Sequence, residues 1–138
     1  MAEVTEAAIR AAYAAFGRGD VDGYLAICTD VFAFHVPGHS SVAGIWRGKP
    51  GLEGLGAKVM ELTAGTFEEE VEDVLINDRH AVVLARHRFT RDGRTHKYQT
   101  AHLYDILEGK LAACWEQPRD PVAFDAAWGV AQTDPAKS

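Results

Sequence analysis

The chain has 138 residues, 47% of them from the apolar set and 25% charged, with a formal net charge of -6. A chain of this length buries roughly two-thirds of its unfolded surface, so one domain with a core and an internal pocket needs neither disulfide nor metal, and two domains are not expected. The acidic balance repels phosphate backbones, the longest apolar runs (Ala81 to Ala85) fall far short of the roughly 20 residues of a membrane helix, and Met1 to Ala8 is acidic, so no nucleic acid, no membrane and no export are expected.

Val4, Ala8, Ile9, Ala12, Tyr13 and Phe16 recur at helical spacing up to Gly17 and Gly19, which predicts a first helix ending near Phe16. Asp20 caps a short second helix with Val21, Tyr24, Leu25 and Cys28 inward. Val31 to Val36 is β-branched and aromatic and stops at Pro37-Gly38, so it reads as a strand. A loop over His39 to Pro50, with a short strand at Val42 to Trp46, precedes a third helix marked by Leu52, Leu55, Val59 and Leu62. Gly51, Gly54 and Gly56 weaken it by ~1 kcal/mol each relative to alanine.

From Thr66 onward, turn signals at Asn77-Asp78-Arg79, Asp92-Gly93 and Glu108-Gly109 separate four antiparallel strands. Asp120, Pro121 and Gly129 bracket a last short helix carrying Phe124 and Trp128. One domain over 1–130 is expected, followed by a frayed tail over 131–138. Helices followed by a strand meander predict an α+β fold, with helices on one face of a curved antiparallel sheet. Cys28 and Cys114 form neither a CxxC nor a disulfide-dense pattern, which fits a reducing cytoplasmic setting.

The turns predict which residues share a face. A two-residue loop at Asp92-Gly93 pairs Arg91 with Arg94, and so sets His87 opposite Tyr98, Ala85 opposite Thr100 and Val83 opposite His102. A three-residue loop Leu107-Glu108-Gly109 pairs Ile106 with Lys110, which puts Cys114 opposite His102 and Glu116 opposite Thr100; a two-residue loop would present Trp115 there instead. The opposite face carries Arg86, Arg88, Lys97 and Gln99 beside Leu84, Ala101, Leu103 and Trp115, with Glu69 and Asp73 placed to pair with the arginines. That face is either a salt-bridged surface or the interface of a homodimer, and a homodimer is expected.

Gly19-Asp20, Phe34-His35-Val36-Pro37-Gly38, Gly44-Ile45-Trp46-Arg47-Gly48, Val71-Glu72-Asp73-Val74-Leu75 and Glu108-Gly109-Lys110-Leu111 before Cys114-Trp115-Glu116 form an ordered set running nearly the length of the chain. The set resembles the SnoaL-like branch of the nuclear transport factor 2-like superfamily, with its ketosteroid isomerases and polyketide cyclases. The resemblance implies a cone-shaped α+β barrel with a deep pocket between helices and sheet, commonly dimeric. Where the isomerases place their general base the chain has Val36; the oxyanion tyrosine falls near Ala12, one residue before Tyr13; the second oxyanion acid aligns with His102. The acid/base aspartate of the cyclases aligns with Glu116.

These residues define an expected acid/base site of Glu116 and His102, with Tyr98 and Thr100 in neighbouring rows. Glu116 is otherwise a solvated carboxylate near the strand mouth, and His102 a core histidine held by a hydroxyl. His87 faces the same cup or bonds to Glu68 or Glu70. Tyr13, Phe16, Tyr24, Phe34, Val36, Met60 and Cys114 are expected to line the pocket or to be plain core. Trp46 and Arg47 form a lid or anchor a surface loop, His35 points outward, and His39 sits in a mouth loop.

With no HxH, HExxH, GxGxxG or phosphate-loop pattern, no metal and no cofactor are expected; a site from His87, His102 and Glu116 would need them to converge. The expected activity is cofactor-free isomerisation, cyclisation, hydration or elimination on a small apolar carbonyl or polyketide-like molecule. The alternatives are a small-molecule-binding domain without turnover and a purely structural dimerisation module.

Overall fold

Thr5 accepts a hydrogen bond from the Ala8 amide and opens α1 (Glu6–Gly17), whose Ile9, Ala12 and Tyr13 are buried. Asp20 accepts from the Gly23 amide and opens α2 (Val21–Leu25), so the two helices meet across the expected tight turn. The computed structural model describes residues 4–129, and the expected tail over 131–138 lies outside them. The other elements are β1 (Cys28–Val36), β2 (Gly44–Arg47), α3 (Gly48–Thr63), β3 (Glu68–Ile76), β4 (His80–Arg91), β5 (Arg94–Leu107), β6 (Lys110–Pro118) and α4 (Pro121–Trp128). The architecture is α+β, as the order of elements predicts.

The six strands form one sheet in the order β2-β1-β6-β5-β4-β3. β1 runs parallel to β6, and every other neighbouring pair is antiparallel. One core cluster gathers α1 and α2 over the middle of the sheet through Ile9, Tyr13, Tyr24, Phe32, Val83, Tyr104 and Leu111. A second joins α3 and α4 through Leu55, Val59, Phe89, Phe124 and Trp128. No helix among the described residues is long and apolar enough to cross a membrane.

The Asp92-Gly93 hairpin pairs as its turn residues predict, from Arg91 with Arg94 through His87 with Tyr98 to Val83 with His102. The next hairpin differs. Glu108 (φ 51°) and Gly109 (φ 76°) are both left-handed, like Asp92 (φ 53°) and Gly93 (φ 74°), so the loop has two residues and Leu107 pairs with Lys110. The extra residue sits instead at Ala112, between the pairs Ile106 with Leu111 and Asp105 with Ala113. This bulge restores the alternation, so Cys114 and Glu116 face inward as expected, but opposite Tyr104 and His102.

A second bulge corrects the reading of β3. Val71 pairs with Ala85 and Asp73 with Leu84, so Glu72 is the extra residue. Asp73 stays on the outer face, while Glu69 turns inward opposite His87. The outer ion pair with Arg86 therefore comes from Glu72, at 3.0 Å.

Of the glycines of α3, Gly51 is required by close approach to β2. A Cβ on Gly51 would stand 2.6 Å from the Trp46 carbonyl carbon, whereas one on Gly54 would meet the Trp46 ring at an ordinary 3.5 Å. Gly51→Ala is therefore expected to destabilise the protein by about 1–3 kcal/mol despite its helix propensity, and Gly54→Ala to be neutral or stabilising by up to ~1 kcal/mol. Thermal unfolding of the two variants checks this, and a Gly51→Ala protein more stable than wild type contradicts the packing described.

Candidate functional site

Alternation along β5 points Tyr98, Thr100, His102 and Tyr104 at the helices, and Glu116 on β6 meets His102 from the next strand. His102 Nε2 lies 2.6 Å from Glu116 Oε2, with the two side chains only 2% and 9% exposed. Burial alone lowers the imidazole pKa, but the hydrogen bond and charge of Glu116, together with the charge of Glu69, outweigh it and raise it above the ordinary value. As an imidazolium, His102 donates from Nε2 to Glu116 and from Nδ1 to Tyr13 Oη, 2.6 Å away. Tyr13 then donates to Tyr104 at 2.6 Å, and Tyr104 to Tyr24 at 2.7 Å. Burial raises all three phenols, so they stay protonated.

Thr100 Oγ1 lies 2.7 Å from His87 Nε2 and 3.3 Å from His102 Nε2, joining the two imidazoles. Burial, and then the charge of His102, hold His87 well below the usual pKa, so it is neutral. Its Nδ1 is buried without a hydrogen-bond partner, although Glu69 Oε2 is 3.3 Å away. Glu69 retains 18% side-chain exposure. Burial raises its pKa to about 7, with the charge of Glu116 adding and that of His102 opposing.

Two spaces share Tyr13, Phe16 and Glu69 in their walls. An inner chamber of about 40 Å³ is bounded by Tyr13, Phe16, Tyr24, Phe34, Glu69, His102 and Tyr104, with Leu52 and Leu55. That is little more than one water molecule's share of liquid volume, about 30 Å³. A vestibule of about 570 Å³ opens between the α1–α2 turn and α3, where Phe16, Val59, Met60 and Phe67 offer apolar surface and Tyr13 and Glu69 form its inner end.

Of the expected wall residues, Tyr13, Phe16, Tyr24, Phe34, Met60 and His102 border these spaces, and the others do not. Glu116 stands behind His102. Thr100 and His87 are tied up with each other beside it. Tyr98 is stacked on His87 at 4.5 Å and hydrogen-bonded by Trp128 Nε1 at 2.9 Å, and Tyr98 and His87 border a separate cleft with Arg119 and Asp120. Val36 packs among Val42, Leu55 and Phe124 in the second core cluster.

Trp46 donates to the Val42 carbonyl at 3.0 Å and packs over Gly54, so it anchors the loop and is no lid. Cys114 is fully buried core, and burial pushes its thiol, like that of Cys28, upward. His35 stacks on Trp115 across the outer face at 4.6 Å, as alternation predicts, and His39 is exposed near α4. The residue that sequence reasoning missed is Glu69. Counting back by twos from inward Val71 would have found it.

Among the described residues, Glu69, His87 and His102 each offer a ligand-type atom within 4.8 Å of the others, so the carboxylate that joins both histidines is Glu69 in place of Glu116.

The SnoaL-like domain family model matches residues 9–114. An uncharacterized protein of Mycobacterium tuberculosis, Rv0034, is 31% identical over 125 residues, covering 87% of this chain and 92% of its own. Among solved structures, Bal32a from a soil-derived mobile gene cassette aligns with a TM-score of 0.80 at 24% identity, over 88% of this chain and 94% of its own. TerC, co-crystallised with polyporic acid, aligns with a TM-score of 0.73 at 24% identity, over 85% and 92%.

A raised carboxyl has a thermodynamic consequence. Glu69 binds its proton more tightly folded than unfolded, so its contribution to stability is present below the unfolded value near 4.5 and is lost as pH rises through about 7. The loss is at most on the order of 3 kcal/mol. Glu69→Gln is expected to remove this dependence, gaining stability on wild type between pH 5 and 8, as thermal melts across that range will read; parallel curves for the two proteins contradict it.

Proposed function

The chain belongs to the SnoaL-like domain family, and from that premise we propose that it is an acid/base enzyme acting on a small, largely apolar carbonyl or polyketide-like molecule. The observation that carries the proposal is that the Glu69 carboxyl and Tyr13, whose hydroxyl the buried His102–Glu116 pair polarises, line both the vestibule and the chamber. A substrate body rests against Phe16, Val59, Met60 and Phe67, and its carbonyl end reaches the chamber, whose size admits little more than that oxygen.

Glu69 as carboxylate takes a proton from the carbon beside the carbonyl. The electron pair moves onto the carbonyl oxygen, which accepts the Tyr13 hydrogen bond in place of Tyr104. The imidazolium on Tyr13 makes it a stronger donor to that developing charge. Returning the proton from Glu69 to another carbon completes an isomerisation; closing the enolate on a second carbonyl within the molecule completes a cyclisation. Glu116 acts as a positioning residue that keeps His102 charged. The polyporic acid co-crystallised with TerC supports a hydroxylated carbonyl class.

The test is deuterium incorporation from D₂O into enolisable carbonyl compounds, with simple enones and 1,3-diketones as the panel, followed by NMR. Wild type is expected to exchange at least one member above the solvent rate. Glu69→Gln should keep binding within a few-fold and lose roughly 10²-fold or more in rate. Glu116→Gln should lower the rate with binding retained. Binding without exchange by wild type would instead favour a small-molecule binder, the reading that Val36, in place of the isomerase base, supports.

Assembly belongs to the same reading. The outer face around Leu103, Trp115 and Gln99 is offered as a homodimer interface, with apolar centre and charged rim. Sedimentation is expected to show a dimer at micromolar protein that Trp115→Glu dissociates; a monomer, or a dimer indifferent to that change, contradicts it.

A further inference from the structure

Glu69 on β3, His87 on β4 and His102 on β5 sit side by side across three neighbouring strands, their ligand-type atoms within 4.8 Å of one another. We propose that these three side chains form a binding site for a divalent transition cation of the zinc class, reached through the vestibule.

The donor set is two imidazoles and one carboxylate, the combination that zinc, cobalt(II) and iron(II) take and that calcium and magnesium do not favour. His87 Nδ1 carries the strongest indication. It is buried, has no hydrogen-bond partner and faces Glu69 Oε2 at 3.3 Å, which is about the separation of two ligands on a tetrahedral ion with bonds near 2.1 Å. A buried nitrogen left unpaired is unfavourable unless something occupies its lone pair. Its other nitrogen is held by Thr100 at 2.7 Å, which fixes the ring and leaves Nδ1 toward Glu69.

His102 completes the set by releasing to solvent the proton of one ring nitrogen and exchanging that nitrogen's hydrogen bond, to Glu116 or to Tyr13, for the metal bond, and the bond that remains orients the ring. The three atoms draw inward by about 1 Å from their 4.8 Å envelope. Glu69 borders both spaces, so an ion and its waters have a path from solvent that does not unfold the sheet.

The site does not depend on the acid/base reading, and the two exclude each other in time. A cation on Glu69 occupies the lone pair that would accept a substrate proton.

The experiment is calorimetric titration of chelator-stripped, tag-free protein with Zn²⁺, repeated with Co²⁺ while recording its visible absorption. Wild type is expected to bind one ion per chain with a Kd of about 1 μM or tighter, and Co²⁺ to give the intense bands of a four-coordinate nitrogen and oxygen site. Glu69→Gln and His87→Gln should each weaken binding by roughly 100-fold while circular dichroism shows the fold intact. His39→Gln and His96→Gln, both outside the cluster, should change nothing. Absence of saturable binding overturns the proposal, as does binding that survives both cluster variants or is lost in the surface ones. Because the readout is affinity and absorption, a failed deuterium-exchange assay leaves this result untouched.

Discussion

An imidazole and a carboxylate 2.6 Å apart, both out of solvent, govern the interior of this protein. Removing two such charges from water costs several kcal/mol each, and the pair persists only because the remaining donors and acceptors are met. Tyr13 accepts a hydrogen bond from the second His102 N–H, Thr100 stands at 3.3 Å, and the three tyrosines pass the hydrogen bond on to α2. The helices are thus held to the sheet by hydroxyls as well as by apolar contact. Loss of either charge would leave the other buried and alone, at a cost of roughly 3–5 kcal/mol. The arrangement fixes the polarity of the chamber: a cation behind Tyr13, a carboxyl in front.

Local chemistry made most of the fold legible. Asp20 and Asp120 cap the helices where spacing predicts, and Asp92-Gly93 determines a twelve-pair ladder from one turn. What local chemistry does not encode is where an extra residue goes. At Glu108-Gly109 the turn residues favour a left-handed pair, which by itself would have exposed Glu116. The bulge at Ala112 compensates at the point where β6 leaves the hairpin to take β1 as its parallel neighbour and Leu111 donates to Ile27. The inward faces came out as expected, through a different placement of the same extra residue.

The same ambiguity hid part of the site. His102 and Glu116 stand together because two bulge placements share a parity. Strict alternation puts Glu69 on the outer face with Asp73, and a bulge at Glu72, within a run of acidic residues and with no glycine to mark it, turns Glu69 inward. Val36, Trp46 and Cys114 have the right residue types for a pocket wall, yet types alone do not distinguish wall from core. Their burial against α3, α4 and β5 decides it. That three polar side chains on adjacent strands converge depends on cross-strand register, which no short motif carries.

The central claim is that Glu116 keeps His102 charged against the desolvation of its surroundings. Titration of the His102 ring nitrogens by ¹⁵N NMR, in wild type and in Glu116→Gln, tests it most directly. A pKa above the ordinary 6.5 is expected in wild type and a value below it in the variant, where only the charge of Glu69 still opposes burial. A His102 that titrates at or below 6.5 in wild type, or that is indifferent to the loss of the Glu116 charge, would contradict it.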